Sequence, residues 1–403
     1  MARPVKVPAQ VAESAHPFFD PWFLNSPRGP QPRTKTGSKH TLTVIPGVGI
    51  GREMIDAVLD VFSCCGAPLS FEWIDDVGTV DALENMKMSL SRNGVAIKGN
   101  IENRSTKQIV QEDTESWNFL LIEALDLFVH VTLLKSFRGL KSQMRVHDKM
   151  DIIVIRSNTE GEFSLLEHQP TEGVFEHLRV ITAYNTKRVA EFAFRLAEES
   201  GRKKVTLLHQ SEIMPMSEGL FVDEFLKVAM EHPTIGHDVL NIHNAVHQIF
   251  ENIGDLDVIL SNSIYCSQLV DILTGMIGSP RLVAGGSFSN RFAIFEPAVN
   301  SRSRAMIAKN EANPTGFLLS GAYALKFLGY PEMADIIREG IEVAFEAGVK
   351  TKDLNGSATT DEFISQIVKH IRTEVPRVLC KHDKPPDFKP KTPENWAPQG
   401  WQK

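Results

Sequence analysis

A chain of 403 residues, 42% hydrophobic and 23% charged, is long enough for two domains with sizeable cores and has ordinary globular composition. The formal net charge of −7 argues against a general nucleic-acid or membrane surface, and no apolar run approaches the ~20 residues that span a bilayer. Four cysteines without metal-ligand spacing are too few for a disulfide framework, which favours a reducing compartment.

The first 39 residues differ in composition from the rest of the chain. An aromatic run, His16–Phe23, is followed by several prolines. A mitochondrial presequence is typically amphipathic, rich in Arg and Ser and poor in acidic residues, whereas this segment contains Glu13 and Asp20. We therefore interpret residues 1–39 as an N-terminal extension or a weakly matching presequence, and the sequence leaves its cleavage open.

Alternating strand and helix patterns along the chain predict an α/β fold. The first strand is predicted at Thr41–Pro46, and Gly47, Gly49 and Gly51 then open a helix. Their spacing is not G-x-G-x-x-G, and no acidic residue lies suitably ~20 positions further on. A phosphate-binding loop is one interpretation of these glycines, and a tight strand-to-helix turn is the other.

The middle of the chain repeats this alternation. A helix is predicted to begin at Asn185 or Thr186 and to end at Gly201, because apolar side chains recur there at helical spacing. Lys203–His209 follows as a strand, and Ser217 is predicted to cap the next helix.

The last predicted elements carry clear end signals. Leu256–Leu260 has the pattern of a buried strand, and Pro331 suits the first turn of a helix. Thr359 and Glu362 form a capping box that predicts a final helix over Thr360–Ile371.

Six segments, in order across residues 40–372, resemble signatures of the isocitrate/isopropylmalate dehydrogenase family. The segments are Ile45–Gly51, Val95–Glu102, Ile155–Phe163, His209–Met214, Ser263–Asp271 and Ala312–Thr315. Two of their details, Lys98-Gly99-Asn100 and the run from Lys309 to Thr315, are most similar to the gamma-type regulatory subunits of mitochondrial NAD-dependent isocitrate dehydrogenases.

The resemblance implies a two-domain α/β fold with a mixed sheet. Residues 40–127 and 279–380 would form a large domain, and residues 128–278 a smaller dimerisation domain that pairs with a neighbouring subunit. Residues 381–403, rich in Pro, Lys and Trp, cannot bury a core of their own and are predicted to be a tail.

The chemistry that the resemblance implies needs proton-transfer groups. In this family a hydride leaves a 2-hydroxy acid for a nicotinamide, Mg²⁺ or Mn²⁺ polarises the resulting ketone, and an acid protonates the enol after CO₂ departs. The tyrosine position falls at Phe163 and the lysine position at Gln210. General acid–base groups contribute ~10²–10⁴-fold each, so losing both predicts no practical turnover.

The family's metal-binding carboxylates are also mostly replaced in this chain. The three carboxylates of the family fall at His243, Ser267 and Asp271, of which only Asp271 is acidic. A neutral His and a Ser cannot balance a dication that prefers anionic oxygen. His243 could ligate a softer metal or be an ordinary polar residue, and Asp271 could be a ligand or a hydrogen-bonded helix residue.

In the family that the chain resembles, three arginines bind the substrate carboxylates, and this chain retains one of them. The other two positions are Ile122 and Thr132, while Arg156 persists together with Ser116 and Asn118. These three are the candidate residues for a substrate or an allosteric ligand such as citrate, and structural remnants are the alternative. Arg156 could also pair with a nearby glutamate or with a partner subunit.

A nucleotide site is implied less directly. Asn313 matches the asparagine that contacts adenine in the family, and Ser301 and Arg302 fall at positions that contact an allosteric ADP in regulatory subunits. The family cofactors are therefore NAD or ADP together with Mg²⁺ or Mn²⁺, and the sequence predicts none of them as bound.

The losses together predict a non-catalytic, gamma-like regulatory subunit of NAD-dependent isocitrate dehydrogenase. Such a subunit would pair with a catalytic subunit in a hetero-oligomer of the mitochondrial matrix, in the tricarboxylic acid cycle. The alternative is a catalytically dead family member, a pseudoenzyme used as a structural or interaction protein. The sequence does not identify the partner subunit.

Overall fold

The computed structural model describes residues 39–102, 116–140, 150–298 and 306–379, which form an α/β fold. The strands are β1 His40–Ile45, β2 Leu69–Trp73, β3 Val95–Lys98, β4 Val129–Lys135, β5 Asp151–Ser157, β6 Gly161–Thr171, β7 Val174–Val180, β8 Lys204–His209, β9 Gly236–Asn241, β10 Val258–Ser261, β11 Ala284–Phe288 and β12 Ala293–Pro297. The helices are α1 Gly51–Cys65, α2 Val80–Asn93, α3 Trp117–Ala124, α4 Ala183–Glu199, α5 Ser217–Glu231, α6 Ile242–Asn252, α7 Ser263–Ile277, α8 Thr315–Phe327, α9 Pro331–Glu346 and α10 Thr360–Leu379.

Ten of these strands form one mixed sheet in the order β2-β1-β3-β12-β11-β4-β5-β10-β8-β9. Strand β11 is antiparallel to β12 and β4, β4 is antiparallel to β5, and the remaining pairs are parallel. Strands β6 and β7 form a separate hairpin. The predicted α/β fold with a mixed sheet is confirmed.

The proposed domains occupy opposite halves of this sheet. The five strands from β2 to β11 come from 40–127 and 279–380, and the five from β4 to β9 come from 128–278. The domain boundaries themselves stay a prediction. In the part of the chain that the structure describes, no helix is long and apolar enough to cross a bilayer.

The first glycine-rich turn is shaped by close backbone contacts. A Cβ on Gly47 would lie 2.1 Å from the carbonyl oxygen of Asn100, and one on Gly51 would lie 2.0 Å from that of Pro46. The amide of Val48 donates to the carbonyl oxygen of Asn100 at 2.7 Å. These contacts favour the tight-turn interpretation, because they require glycine without any bound phosphate.

Helix α4 begins earlier than its sequence predicts. Thr182, not Asn185 or Thr186, is the N-cap, and its hydroxyl accepts a hydrogen bond from the amide of Asn185 at 3.2 Å. The predicted start was wrong because Glu160, distant in sequence, anchors this turn. Its carboxylate accepts from the Thr182 hydroxyl and from the Asn185 side chain, each at 2.6 Å.

The other predicted helix ends are partly confirmed. Ser217 is the first residue of α5 but makes no capping hydrogen bond, so its predicted role as a cap was wrong. Pro331 occupies the first turn of α9 as predicted. The capping box is confirmed, since the Glu362 amide donates to the Thr359 hydroxyl at 3.2 Å and the Thr359 amide to the Glu362 carboxylate at 2.9 Å. Helix α10 continues beyond its predicted end to Leu379.

Candidate functional site

A cavity of about 150 Å³ lies where α3, β4, β5, α7 and β12 meet. Its walls include four of the predicted site residues, namely Asn118, Arg156, Ser267 and Asp271, and both lost-arginine positions, Ile122 and Thr132. Ser116 is not among the lining residues, and its hydroxyl donates to the Glu102 carboxylate at 2.6 Å. Residues far apart in sequence therefore meet here.

Arg156 is the main cation of this cavity. Its Nη1 donates to the Ser267 hydroxyl at 2.6 Å and its Nη2 to the Asn158 side-chain oxygen at 2.9 Å. Its Nε is buried without a hydrogen-bond partner. Both partners are neutral, and within the described residues Arg156 makes no ion pair. The buried guanidinium charge is therefore uncompensated by direct contact, and burial lowers its pKa.

The glutamates suggested as partners of Arg156 are engaged elsewhere. Glu160 accepts hydrogen bonds at the start of α4, as described above. Glu162 pairs with Arg179 at 2.8 Å between Oε1 and Nε. Arg179 also bonds to Glu218 at the start of α5. The suggested intramolecular ion pair of Arg156 was therefore wrong.

The ring of Phe163 packs beside Arg156. The guanidinium carbon lies 4.8 Å from the ring centroid, within the range of a cation–π contact. The same ring packs against Phe119, with centroids 5.5 Å apart. Phe163 thus keeps the packing role of an aromatic residue at this position, while the side chain carries no group that can exchange a proton.

A buried ionic network next to Arg156 was not recognised in the sequence. The ammonium of Lys98 donates to the Glu296 carboxylate at 2.5 Å and to the Asn118 side-chain oxygen at 3.0 Å. The His130 Nδ1 lies 2.9 Å from the Ser287 hydroxyl and 3.9 Å from the Glu296 Oε1. Lys98 and Glu296 are each under one-tenth exposed, so their charges depend on one another.

The network sets the protonation of its members. Burial lowers the pKa of His130 to about 4, and the charges of Arg156 and Lys98 act in the same direction against the opposing effect of Glu296. Burial alone would raise the pKa of Glu296, but the Lys98 charge and its hydrogen bond outweigh burial and lower that pKa. At neutral pH the site therefore holds a neutral imidazole beside a charged carboxylate.

The signal for this network was a polar side chain within each of two largely apolar strands. His130 interrupts β4, and Glu296 interrupts β12. The sheet register then places His130 directly opposite both Arg156 on β5 and Ser287 on β11. Neither strand reveals that pairing, because β11 and β12 join the sheet from a distant part of the chain.

Comparison with known proteins identifies the relatives of this chain. A family model described as isocitrate/isopropylmalate dehydrogenase matches residues 41–367. The chain belongs to this family. It is 37% identical over 344 residues to the mitochondrial subunit gamma of NAD isocitrate dehydrogenase from Bos taurus, covering 85% of this chain and 86% of the bovine protein.

Further relatives support the same assignment. The mitochondrial subunit 1 of NAD isocitrate dehydrogenase from Schizosaccharomyces pombe is 37% identical, covering 84% of this chain and 96% of the yeast protein. The crystal structure of isocitrate dehydrogenase from Methylococcus capsulatus superposes with a TM-score of 0.74 at 27% identity, covering 83% of this chain and 99% of that one. The isocitrate/isopropylmalate dehydrogenase fold is thereby confirmed.

The residues at the family's metal positions do not fit Mg²⁺ or Mn²⁺. Ser267 already accepts a hydrogen bond from the Arg156 cation at 2.6 Å, and Asp271 is an exposed residue at the cavity wall. Across the described ranges, no cluster of three or more His, Cys, Asp or Glu residues is arranged to hold a metal. A guanidinium at this point would repel a dication, so we derive no metal-assisted step.

Gln210 and His243 lie together but away from this cavity. Gln210 Nε2 is 3.3 Å from His243 Nε2, at the ends of β8 and β9. The backbone N–H of Gln210 donates to the Glu218 carboxylate at 3.2 Å. Neither side chain is part of the cavity wall. That they reach a partner subunit's site, as the family resemblance implies, stays a prediction.

The nucleotide residues are only partly described. The Asn313 side chain is 5% exposed, donates to the Asp353 carboxylate at 3.1 Å and accepts from the Thr315 amide at 3.0 Å. These bonds give Asn313 a structural role at the start of α8. Ser301 and Arg302 lie outside the described residues, so the nucleotide site stays a prediction.

Proposed function

We propose that this chain is a non-catalytic, gamma-like regulatory subunit of NAD-dependent isocitrate dehydrogenase. The observation that carries the proposal is the hydrogen bond from Arg156 to Ser267, which puts a protein cation at a position where the family holds a metal ligand. Phe163 packs over the same guanidinium without a hydroxyl for proton transfer. The family scaffold is kept, whereas metal binding and proton transfer are not supported.

The names of the relatives support a location and a partner for this subunit. Those from Bos taurus and Schizosaccharomyces pombe are named as mitochondrial subunits of NAD isocitrate dehydrogenase. We therefore propose the mitochondrial matrix as the location and a catalytic isocitrate dehydrogenase subunit as the partner.

The surface of the proposed dimerisation domain supports pairing. Its β6–β7 hairpin exposes several apolar side chains, among them Phe175 at 68% and Leu178 at 56% exposed. Grouped exposed apolar side chains mark interaction sites more often than ordinary surface. Phe175→Lys and Leu178→Lys should each weaken copurification with a catalytic subunit. Val80→Lys on α2, outside this domain, should not, and an equal loss there would contradict the pairing surface.

Activity assays test the lack of catalysis directly. The purified chain, supplied with isocitrate, NAD and Mg²⁺ or Mn²⁺, should produce no NADH, because the proton-transfer and metal groups are absent. Coexpression with a catalytic subunit should give a complex whose turnover exceeds that of the catalytic subunit alone. Isocitrate-dependent turnover by this chain without a partner would refute the proposal.

The proposed allosteric ligands are citrate at Asn118 and Arg156, with Ser116 nearby, and ADP at Ser301, Arg302 and Asn313. Support for an anion at the first site comes from the unpartnered Nε and uncompensated charge of Arg156. Titration calorimetry on the assembled complex tests both ligands, and Arg156→Gln should abolish citrate binding while leaving ADP binding unchanged.

A second candidate is a structural or interaction protein. Ile122 favours it, because this lost-arginine position is 7% exposed and belongs to an apolar cluster beside the cavity, which weakens recognition of a tricarboxylate. Affinity purification from mitochondria discriminates the two proposals. Recovery of a catalytic isocitrate dehydrogenase subunit supports regulation, whereas recovery of a different assembly without it supports the structural role.

A further inference from the structure

A second cavity, of about 220 Å³, lies at the other end of the β4–β5 pair. Asp151 and Lys135 face each other in the register there, whereas His130 and Arg156 face each other at the first cavity. No residue lines both cavities, although their linings meet along these strands, where Thr132 and Val154 line the first cavity and the adjacent Leu133 and Ile153 line the second. The two cavities are therefore distinct sites.

The second cavity combines an apolar wall with charged groups. Strands β4 and β5 and the residues after α4 form one side, and α8 and α9 form the other. Its apolar lining consists of Leu133, Leu134, Ile152, Ile153, Leu319 and Ala322 with Ala334. Four cationic and two anionic side chains complete the lining. This composition suits an anionic ligand with an apolar body.

One group of these charges is already neutralised. Asp151 pairs with Lys135 at 2.9 Å and also with Arg202, and Arg202 pairs with Asp257 at 2.9 Å. These bonds lower the pKa of Asp151 despite its burial, so its carboxylate stays charged and matched. The charges of this cluster therefore balance one another, and the cluster adds little net attraction for an anionic ligand.

The opposite wall carries polar groups without partners. Within the described ranges, neither the hydroxyl of Tyr323 nor the ammonium of Lys326 has a hydrogen bond or ion pair, although both residues line the cavity. Burial raises the pKa of Tyr323, which keeps this hydroxyl a donor. Arg338 lies on the next helix, where its guanidinium stacks on Phe137 at 4.9 Å and stays 3.5 Å from Glu342.

One carboxylate limits what can bind. Asp335 also lines the cavity and makes no ion pair in the described part of the chain. It lies on α9, one helical turn from Arg338, whose guanidinium is close to Glu342, so the unpaired Lys326 ammonium shares this cavity with one unpaired carboxylate. A singly charged ligand is therefore favoured over a phosphate or a tricarboxylate, which would face Asp335 with more negative charge.

We propose that this second cavity is a binding site for a small organic monocarboxylate with an apolar body. Its carboxylate accepts hydrogen bonds from the Tyr323 hydroxyl and the Lys326 ammonium, and its apolar part lies against β4 and β5. The site requires no catalysis and no metal, and it does not depend on the regulatory role proposed above.

Saturation-transfer NMR on the full chain with benzoate tests the proposal. Benzoate offers one carboxylate on an apolar ring, and a ligand of this size should bind with millimolar affinity. The neutral isostere benzamide should bind about fivefold more weakly or worse, because it forms no charge-assisted bond with Lys326. Equal binding of both compounds, or no transfer from benzoate, would overturn the proposal.

Variants locate the benzoate. Lys326→Gln should weaken the affinity for benzoate about fivefold, and Tyr323→Phe should weaken it about threefold. Lys326→Arg should retain most of that affinity. The matched control Lys227→Gln removes one exposed charge on α5 and should leave the benzoate affinity unchanged. Arg156→Gln separates the two cavities: unchanged affinity supports the second cavity, and a loss equal to that of Lys326→Gln assigns benzoate to the first and refutes the inference.

Discussion

The largely buried imidazole of His130 should make the stability of this protein fall on acidification. Burial and the neighbouring Arg156 and Lys98 charges lower its folded-state pKa from 6.5 to about 4. The unfolded chain then binds a proton at this histidine between those values while the folded chain does not. The neutral ring therefore contributes stability that is fully present above the unfolded pKa and is lost as pH falls toward the folded one.

The size of the effect follows from the shift. A pKa difference of about 2.5 is worth about 3 kcal/mol in total, and about 2 kcal/mol of this is lost between roughly pH 7 and roughly pH 5. Glu296 also has a lowered pKa, but its contribution disappears only below its ordinary value of 4.5. Glu296 therefore contributes little between roughly pH 7 and roughly pH 5. Burial also lowers the pKa of His40, so only a comparison with a His130 variant isolates this histidine.

The variant His130→Gln keeps a neutral polar side chain beside Ser287 and removes the titration. Urea unfolding followed by circular dichroism, at both pH values and constant ionic strength, should show wild-type protein losing about 2 kcal/mol more than the variant. The control His237→Gln, at an exposed position on β9, should behave like wild type because the buried ring is still present. Equal losses in wild type and His130→Gln would refute the assigned burial of the neutral imidazole.

Three other changes test the site and the turn beside it. Glu296→Gln should lower the unfolding free energy by about 3 kcal/mol in urea titrations, because it leaves the Lys98 ammonium buried and unpaired, and adding Lys98→Met should recover part of the loss. Gly99→Ala should reduce the thermal midpoint sharply, because its Cβ would lie 2.2 Å from a backbone oxygen. The control Gly275→Ala has open space around it in α7 and should raise the free energy of unfolding by up to about 1 kcal/mol. Phe163→Tyr restores one hydroxyl and should still give no isocitrate-dependent NADH, because the lysine and metal positions remain altered; measurable turnover would contradict the proposed loss of catalysis.

Local sequence signals were reliable where the neighbouring residues in the chain decide the outcome. The capping box of Thr359 and Glu362, Pro331 in the first turn of α9 and the strand before the glycine turn were all confirmed. Ser217 is an exception, because it begins α5 without capping it. The predicted start of α4 failed because a distant residue intervenes. Helix α4 begins at Ala183 because Glu160, in the turn before β6, holds the Thr182 side chain.

The candidate site shows the same division. Aligned motifs predicted Asn118, Arg156, Ser267 and Asp271, and these four do meet at one cavity. The motifs placed Ser267 at a predicted metal position but did not predict that its hydroxyl would accept a hydrogen bond from Arg156.

The sequence alone determined the family and the alternation of strands and helices, and it predicted the loss of proton-transfer residues at Phe163 and Gln210, because these depend on residue identity and short-range spacing. Only the tertiary structure decided which charges are matched. Lys98 and Glu296 are 198 residues apart, and their 2.5 Å contact exists because β12 inserts beside β3. The protonation of His130 and the unpaired groups of both cavities depend on such long-range contacts, because burial and Coulomb interactions depend on distance in space, not along the chain.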